Sequence, residues 1–356
     1  MHRVDILPDG DIILAIKGSL ELRVSSLVLS MVSPVFKTML GPHFAEGQAL
    51  RHQSAGVLHI LTLPDDDAQL MKVLCLISYH QADAVTVSSV PAKFIIELAT
   101  LADKYDCLSI LKYPVTSWAA AIDPESLDAA TRCACAEAAF KLDDAQLFGR
   151  CTKALVLDGD SWSPAGRATS CRVSIADAVR KTETCAEYNV VRLIDNVVTD
   201  AAGRLGSYYE HDGEHNPTLD WYGCPRYSSC EFNKVAIGTL MHALSVARLW
   251  PPSSRGHTLR DILHSTRTMK VPRVTAISPC KTCLDKSTEN ILEMFERNIG
   301  GLRADFNDIF TAVCLDCLKQ IGDENSICRT PHHGEWATSD EDGNQRLHYD
   351  RAKLNE

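Results

Sequence analysis

The sequence lacks an excess of basic residues, and it lacks any long apolar run. Its 36 Lys and Arg residues are outnumbered by 46 Asp and Glu residues, which gives a formal net charge of −10. Proteins that bind nucleic acid directly carry a basic stripe, and this sequence shows none. No segment approaches the roughly 20 apolar residues of a membrane-spanning helix. Direct nucleic-acid binding and membrane insertion are therefore disfavoured.

A secretory signal is also missing from the N-terminal segment. Asp5, Asp9 and Asp11 interrupt it, and the apolar run Ile12–Ile16 is too short for the core of a signal peptide. We therefore expect an intracellular protein, nuclear or cytoplasmic. Because disulfides are rare in reducing compartments, we expect the 14 cysteines to be metal ligands or core thiols.

Familiar catalytic and nucleotide-binding motifs are absent. The sequence contains no G-x-S-x-G, H-E-x-x-H, G-x-x-x-x-G-K-[ST] or G-x-G-x-x-G pattern. This favours a protein that is not an enzyme. The alternative is an enzyme within residues 121–330 that uses a low-pKa cysteine or a zinc-bound water.

Length and composition predict more than one globular domain. A chain of 356 residues exceeds what one core usually organises, and 45% hydrophobic with 23% charged residues is ordinary for folded proteins. We predict three regions: a small α+β domain over 1–120, a mainly helical domain over 121–330, and a flexible tail over 331–356, where apolar periodicity is lost.

The first region predicts a small sheet surrounded by helices. Ile12–Ile16 and the alternating Leu20–Val24 flank a Lys-Gly-Ser turn and predict a β-hairpin. Two short helices follow, the second capped by Ser33 with Pro34 at its first position. A polar loop then runs to Gly56, before a third strand at Val57–Leu63.

Later helices are predicted from caps and apolar stripes. The Asp65-Asp66-Asp67 run favours a helix start, and Phe94 to Tyr105 carry apolar residues at helical spacing. Leu108–Trp118 continues helically, with Pro114 expected to bend or end it. Beyond Asp123, helices are predicted near 124–140, 143–157, 183–206, 231–249, 257–267, 286–298 and 303–321.

Several of these segments resemble the BTB/POZ family. Asp11–Ile16 looks like its first strand, the segment from Leu22 to Phe36 like its helix pair ending in S-P-x-F, and Phe44-Ala45-Glu46 like its f-x-E element. Leu98–Tyr105 is similar to the family's L-x-x-L-A-D-K-Y signature, which amphipathicity alone does not dictate. The Leu-Pro-Asp-Gly-Asp and Pro-Asp-Asp-Asp segments resemble fungal members. Val24-Ser25-Ser26 departs from the family pattern, which usually has a histidine here.

The resemblance implies a protein-interaction module that dimerises or acts as an adaptor, without chemistry of its own. We expect self-association through the helices of residues 24–40. Family dimers often exchange an N-terminal strand, which only Met1–Leu7 could supply here. A second hypothesis is a substrate adaptor of a cullin-type ubiquitin ligase, with Phe44 as an aromatic anchor and Glu46 as a rim charge. Alternatively, Phe44 packs on the core and Glu46 is merely solvated.

Two Cys-x-x-Cys pairs form the strongest candidate metal site. The pairs are separated by 30 residues, and four thiolates could hold one tetrahedral zinc ion. The predicted ligands are Cys280, Cys283, Cys314 and Cys317, with Cys328 and His332 as replacements. Such a site is structural, because four protein ligands leave no open position. The alternative places Cys314 and Cys317 as core thiols on one helical stripe from Phe306 to Ile321.

Overall fold

The chain divides into two compact units. A computed structural model describes residues 2–17, 20–52, 57–81, 85, 90–159, 172–206, 232–251, 257–273, 293, 295–306, 312–319 and 328–329. The first unit comprises Met1–Leu155, Trp162–Ala178 and Val313–Glu356, and the second comprises Val156–Ser161 and Val179–Ala312. The fold is α+β, as predicted, with a small N-terminal sheet followed by helices.

Four strands form the sheet of the first unit, in the order β1-β3-β2-β4. They are β1 His2–Asp5, β2 Ile12–Ile16, β3 Leu20–Val24 and β4 His59–Leu63. The predicted hairpin is confirmed, because β2 and β3 pair antiparallel with Leu14 opposite Leu22. The predicted third strand, β4, pairs parallel with β2 and sets Leu61 opposite Leu14. All three of these leucines are buried.

The first strand was not predicted. Strand β1 pairs parallel with β3, and its side chains are exposed or half-buried. A strand that buries neither face carries no alternation of apolar and polar residues, so periodicity could not reveal it.

Three short helices follow the hairpin: α1 Ser26–Val32, α2 Pro34–Met39 and α3 Ala45–Arg51. The predicted cap of α2 is confirmed, because the Ser33 hydroxyl accepts a hydrogen bond from the Phe36 amide at 3.0 Å. The polar loop predicted up to Gly56 is wrong in part, because α3 lies within it. Within α3, all of which the structure describes, Gly47 alone is buried, so no apolar stripe indicated a helix.

The core of the first unit is completed by α4 Ala68–Ser78 and α5 Ala92–Lys104. Asp67 caps α4 by accepting hydrogen bonds from two amides of its first turn, as the acidic run predicted. The predicted inward face of α5 is also confirmed: Leu98 and Ala102 are fully buried, and Tyr105 at its end stacks on Phe36 with ring centroids 4.4 Å apart.

Two further predictions need correction. Pro114 does not end a helix: the predicted Leu108–Trp118 segment is a 3-10 turn at Leu108–Leu111 followed by α6 Lys112–Ala119, which begins two residues before the proline. A first-turn N–H has no partner within the helix, so proline is tolerated there. Asp123 and Pro124 start a single 3-10 turn, and α7 Ala129–Leu142 begins later, capped by Asp128.

The remaining described helices agree largely with the sequence. They are α8 Ala145–Asp158, α9 Val173–Gly206, α10 Phe232–Val246, α11 Leu259–Thr268, helical residues 295–306, and α12 Leu315–Lys319. The helix predicted over 303–321 is interrupted, because residues 312–314 are not helical. Within the described part of the chain, no helix combines the length and apolarity needed to cross a membrane. The predicted tail, 331–356, lies outside the described residues.

Candidate interaction face and thiol cluster

The Phe-Ala-Glu motif lies where α2 and α3 meet. Phe44 is the residue before the first turn of α3, and Glu46 lies within that turn. The two helices approach so closely that a Cβ atom on Gly47 would overlap the Gly41 carbonyl oxygen and would lie 2.6 Å from the Leu40 carbonyl oxygen. Glycine at position 47 therefore allows α3 to hold Phe44 and Glu46 beside α2.

An apolar groove runs along this junction. It has a volume of about 530 Å³ and is lined by Pro34, Val35, Thr38, Met39, Phe44 and Glu46. Phe44 is 48% exposed, so it does not simply pack into the core. Glu46 is half-buried at the groove. The structure thus brings both predicted partner-binding residues to one apolar surface.

Helix α1, which packs against α2, also exposes large apolar side chains. Leu27 is 67% exposed and Met31 is 77% exposed, whereas Leu29 between them is buried. Residues four positions apart lie on the same side of a helix, so Leu27 and Met31 project together away from the core. Contiguous exposed apolar patches commonly mark interaction sites. We call Leu27, Met31 and the groove the α1–α3 face.

The Lys-Tyr part of the signature, residues 104 and 105, has a structural explanation. Asp66 is 4% exposed. It accepts hydrogen bonds from the Tyr105 hydroxyl at 2.5 Å and from the Lys104 ammonium at 2.6 Å. Burial and the bond to Asp66 raise the pKa of Tyr105 well above its usual value, so the hydroxyl keeps its proton. These side chains tie the end of α5 to the segment preceding α4.

Three thiols meet near the C-terminal end of the first unit. The sulfur atoms of Cys314, Cys317 and Cys328 lie within 4.8 Å of one another, and those of Cys317 and Cys328 are 3.6 Å apart. Cys314 precedes α12, and its carbonyl accepts the first hydrogen bond of that helix, from Leu318 at 3.0 Å. One helical turn therefore sets Cys314 and Cys317 side by side. We call these three residues the thiol cluster.

Ion pairs hold Cys328 near the other two thiols. The Arg329 guanidinium donates to both Asp143 carboxylate oxygens at 2.7 and 2.9 Å, and to Asp316 at 2.9 Å. The Arg329 amide also donates to Asp316 at 2.7 Å. These hydrogen bonds from Arg329 lower the pKa of Asp143 and that of Asp316. We call this arrangement the arginine bridge.

The environment of Cys317 and Cys328 suits metal binding rather than nucleophilic attack. The contact with Cys314 and burial raise the pKa of Cys317, and burial raises that of Cys328. Both thiols are therefore protonated at neutral pH without a metal, whereas a nucleophilic cysteine needs a lowered pKa. Three converging sulfurs are a ligand set for a soft cation, and the thiol cluster can accommodate one metal ion.

The predicted ligands are only partly described. Cys280, Cys283 and His332 lie outside the described residues, so their part in the site stays a prediction. The alternative stripe from Phe306 to Ile321 is wrong as one helix, because residues 312–314 interrupt it, although Cys314 is buried as a core thiol would be and Cys317 is half-buried. Cys328, predicted only as a replacement ligand, lies in the cluster. A Cys-x-x-Cys pair with a third cysteine eleven residues later was the available signal.

The comparisons with known proteins give no identification. No protein-family model, no curated protein and no solved structure matches the chain. The resemblance to the BTB/POZ family therefore stays a prediction that rests on the residues quoted above.

Proposed function

We propose that this chain is a non-enzymatic interaction protein of BTB/POZ type, acting inside the cell, that self-associates through the α1–α3 face. The observation that carries the proposal is the set of large apolar side chains that α1 and the groove expose, Leu27, Met31 and Phe44 above all. The order of strands and helices and the inward-facing signature on α5 support it further.

The energetics favour a symmetric pair of chains. Burying one Leu or Met side chain contributes about 1.5–3 kcal/mol. In a two-fold symmetric dimer each residue of the patch is used twice, so Leu27 and Met31 supply four such side chains and about 6–12 kcal/mol. This gain is comparable to the loss of translational and rotational freedom on association, which costs about 4–15 kcal/mol.

We expect Leu27→Lys with Met31→Lys to convert dimers into monomers. The change removes apolar area and places like charges together at a symmetric contact, so the dissociation constant should rise at least about 100-fold. Light scattering coupled to gel filtration at tens of micromolar protein measures the effect. Tyr113→Lys on exposed α6 is the matched control and should remain dimeric. A strictly monomeric unmodified chain would contradict the proposal.

A cullin-adaptor role is the second candidate, favoured by the exposure of Phe44 at the groove. In this proposal, the Phe44 ring is the apolar anchor for the cullin, and Glu46 supplies a charge at the edge of the contact. Phe44→Ala with Glu46→Ala should abolish co-precipitation of a purified cullin, while Tyr113→Ala leaves it unchanged. Equal recovery with the double variant would remove this surface from consideration.

We also propose that the thiol cluster binds a structural zinc ion. Sulfur ligands suit zinc, and structural zinc sites are rich in cysteine. A catalytic metal-bound water would need a base, whereas Asp316, which lies between Cys314 and Cys317 in sequence, is held by Arg329. We expect one zinc per chain by elemental analysis of protein purified under reducing conditions. X-ray absorption that shows an oxygen ligand would favour the enzyme alternative.

A further inference from the structure

We propose that Cys314, Cys317 and Cys328 supply three of the four protein ligands of one metal ion, and that this ion and the arginine bridge together hold residues 328–329 to the turn between α7 and α8. The inference rests on the structural zinc proposed above for the identity of the metal. It adds the ligand set and the mechanical role of the site, which joins parts of the chain that are far apart in sequence.

The distances between the sulfur atoms fit a tetrahedral ion. With zinc–sulfur bonds of about 2.3 Å, two ligating sulfurs lie about 3.8 Å apart. The sulfurs of Cys317 and Cys328 are 3.6 Å apart, and no pair in the cluster exceeds 4.8 Å. Closing the cluster onto an ion therefore requires sulfur movements of only about 1 Å. Each thiol that ligates releases its proton to solvent.

The segment that carries Cys314 and Cys317 is anchored at both ends. Before Cys314, the Val313 amide donates to the buried Thr152 hydroxyl on α8 at 3.2 Å. At the end of α12, the Lys319 ammonium donates to Asp143 at 3.0 Å. Asp143 itself ends α7 in a left-handed conformation. These contacts hold two of the three ligands against α8 and the turn that precedes it.

The arginine bridge brings the third ligand to the same place. Arg329 follows Cys328 directly, and Asp316 lies between Cys314 and Cys317, so their ion pair aligns both parts of the ligand set. Its second partner, Asp143, belongs to the α7–α8 turn. Arg329 remains partly exposed, and exposed ion pairs contribute little alone. We therefore expect the metal to contribute most of the free energy that holds residues 328–329 in place, while the arginine bridge positions the ligands before the metal binds.

Metal titration of the full chain tests the ligand set. Chelator-stripped, reduced protein is loaded with Co²⁺, whose sulfur charge-transfer absorption scales with the number of thiolates, and Zn²⁺ is then added in competition. We expect Cys328→Ser to weaken zinc binding at least about 100-fold and to remove about a third of the cobalt–sulfur absorption. Cys328→His, which keeps a zinc ligand, should retain binding. Cys185→Ser in the second unit is the control and should change neither quantity.

Arg329→Gln tests the bridge separately. Residues that orient metal ligands typically change affinity about 10- to 100-fold, so zinc binding should weaken by that factor while the cobalt–sulfur absorption per bound ion is unchanged. Hydrogen exchange of peptides covering residues 312–329 should slow when zinc is added to the wild-type chain, and it should not slow in Cys328→Ser.

The outcomes separate the two proposals. If the protein binds one zinc but Cys328→Ser binds it as tightly, other residues hold the ion. The ligand set proposed here is then overturned, while the structural zinc stands. If the reduced protein takes up no zinc, both fail. A Cys317–Cys328 disulfide that forms in air, with no zinc uptake after reduction, also overturns both. Self-association is judged by light scattering in every case.

Discussion

Replacing Asp66 with alanine is expected to lower the free energy of unfolding of the first unit by about 3 kcal/mol. The carboxylate is buried and accepts hydrogen bonds from Tyr105 and Lys104. Its removal leaves the Tyr105 hydroxyl without this partner inside the core and opens a small void beside it. Urea unfolding followed by circular dichroism measures the loss, and hydrogen exchange of α5 peptides assigns it to the first unit.

The neighbouring residues provide controls for this prediction. Asp65 is exposed, so Asp65→Ala should change the free energy of unfolding by at most about 0.5 kcal/mol. Lys104 is half exposed, and Lys104→Ala should cost no more than about 1 kcal/mol. A value for Asp66→Ala that equals the value for Asp65→Ala would show that the buried carboxylate does not stabilise the unit.

The second large effect is expected at Arg132, whose side chain is buried on α7. Its guanidinium donates to the carbonyl oxygens of Pro124 at 2.9 Å, Leu127 at 2.8 Å and Ala154 at 3.4 Å. Arg132→Met keeps most of the apolar stem but removes these three hydrogen bonds, and the Pro124 carbonyl keeps the bond from the Leu127 amide at 3.2 Å. Because a hydrogen bond from a charged donor contributes about 1.5–3 kcal/mol, we expect a loss of about 3 kcal/mol after partial relaxation, measured by urea unfolding.

Two variants sharpen the test at Arg132. Lys153 is exposed on α8, and Lys153→Met should leave the free energy of unfolding within about 0.5 kcal/mol of the wild-type value. Arg132→Lys should recover little, because a single ammonium cannot replace the planar fork of donors. Full stability of Arg132→Lys would mean that charge alone, and not the three hydrogen bonds, accounts for the role of Arg132.

Local patterns predicted much of the first unit because its elements bury regular faces. The hairpin alternates, α5 carries a stripe, and Ser33 and Asp67 have the side chains that cap helices. The two elements that were not predicted lack a regular buried face. Strand β1 buries no face, and α3 buries only a glycine among its described residues. Neither leaves a periodic signal for sequence reasoning to find.

The sites were predictable only where neighbouring residues in sequence also meet in space. Phe44 and Glu46 lie on one groove because one helical turn joins them. The proximity of Cys328 to Cys317 depends instead on Arg329 reaching Asp143, 186 positions away. The burial of Arg132 likewise depends on packing that its Ala-rich helix does not reveal. Such long-range contacts have no signature in a single sequence.

The parallel pairing of β1 with β3 has a consequence for how two chains can assemble. The outer edge of β3 is already occupied by the chain's own first strand, so no strand from a second chain has to fill it. In the proposed dimer, association through the helices would leave each subunit's hydrogen-bonded sheet intact. Subunit exchange between such dimers would then be limited by dissociation alone and would not require partial unfolding of either chain.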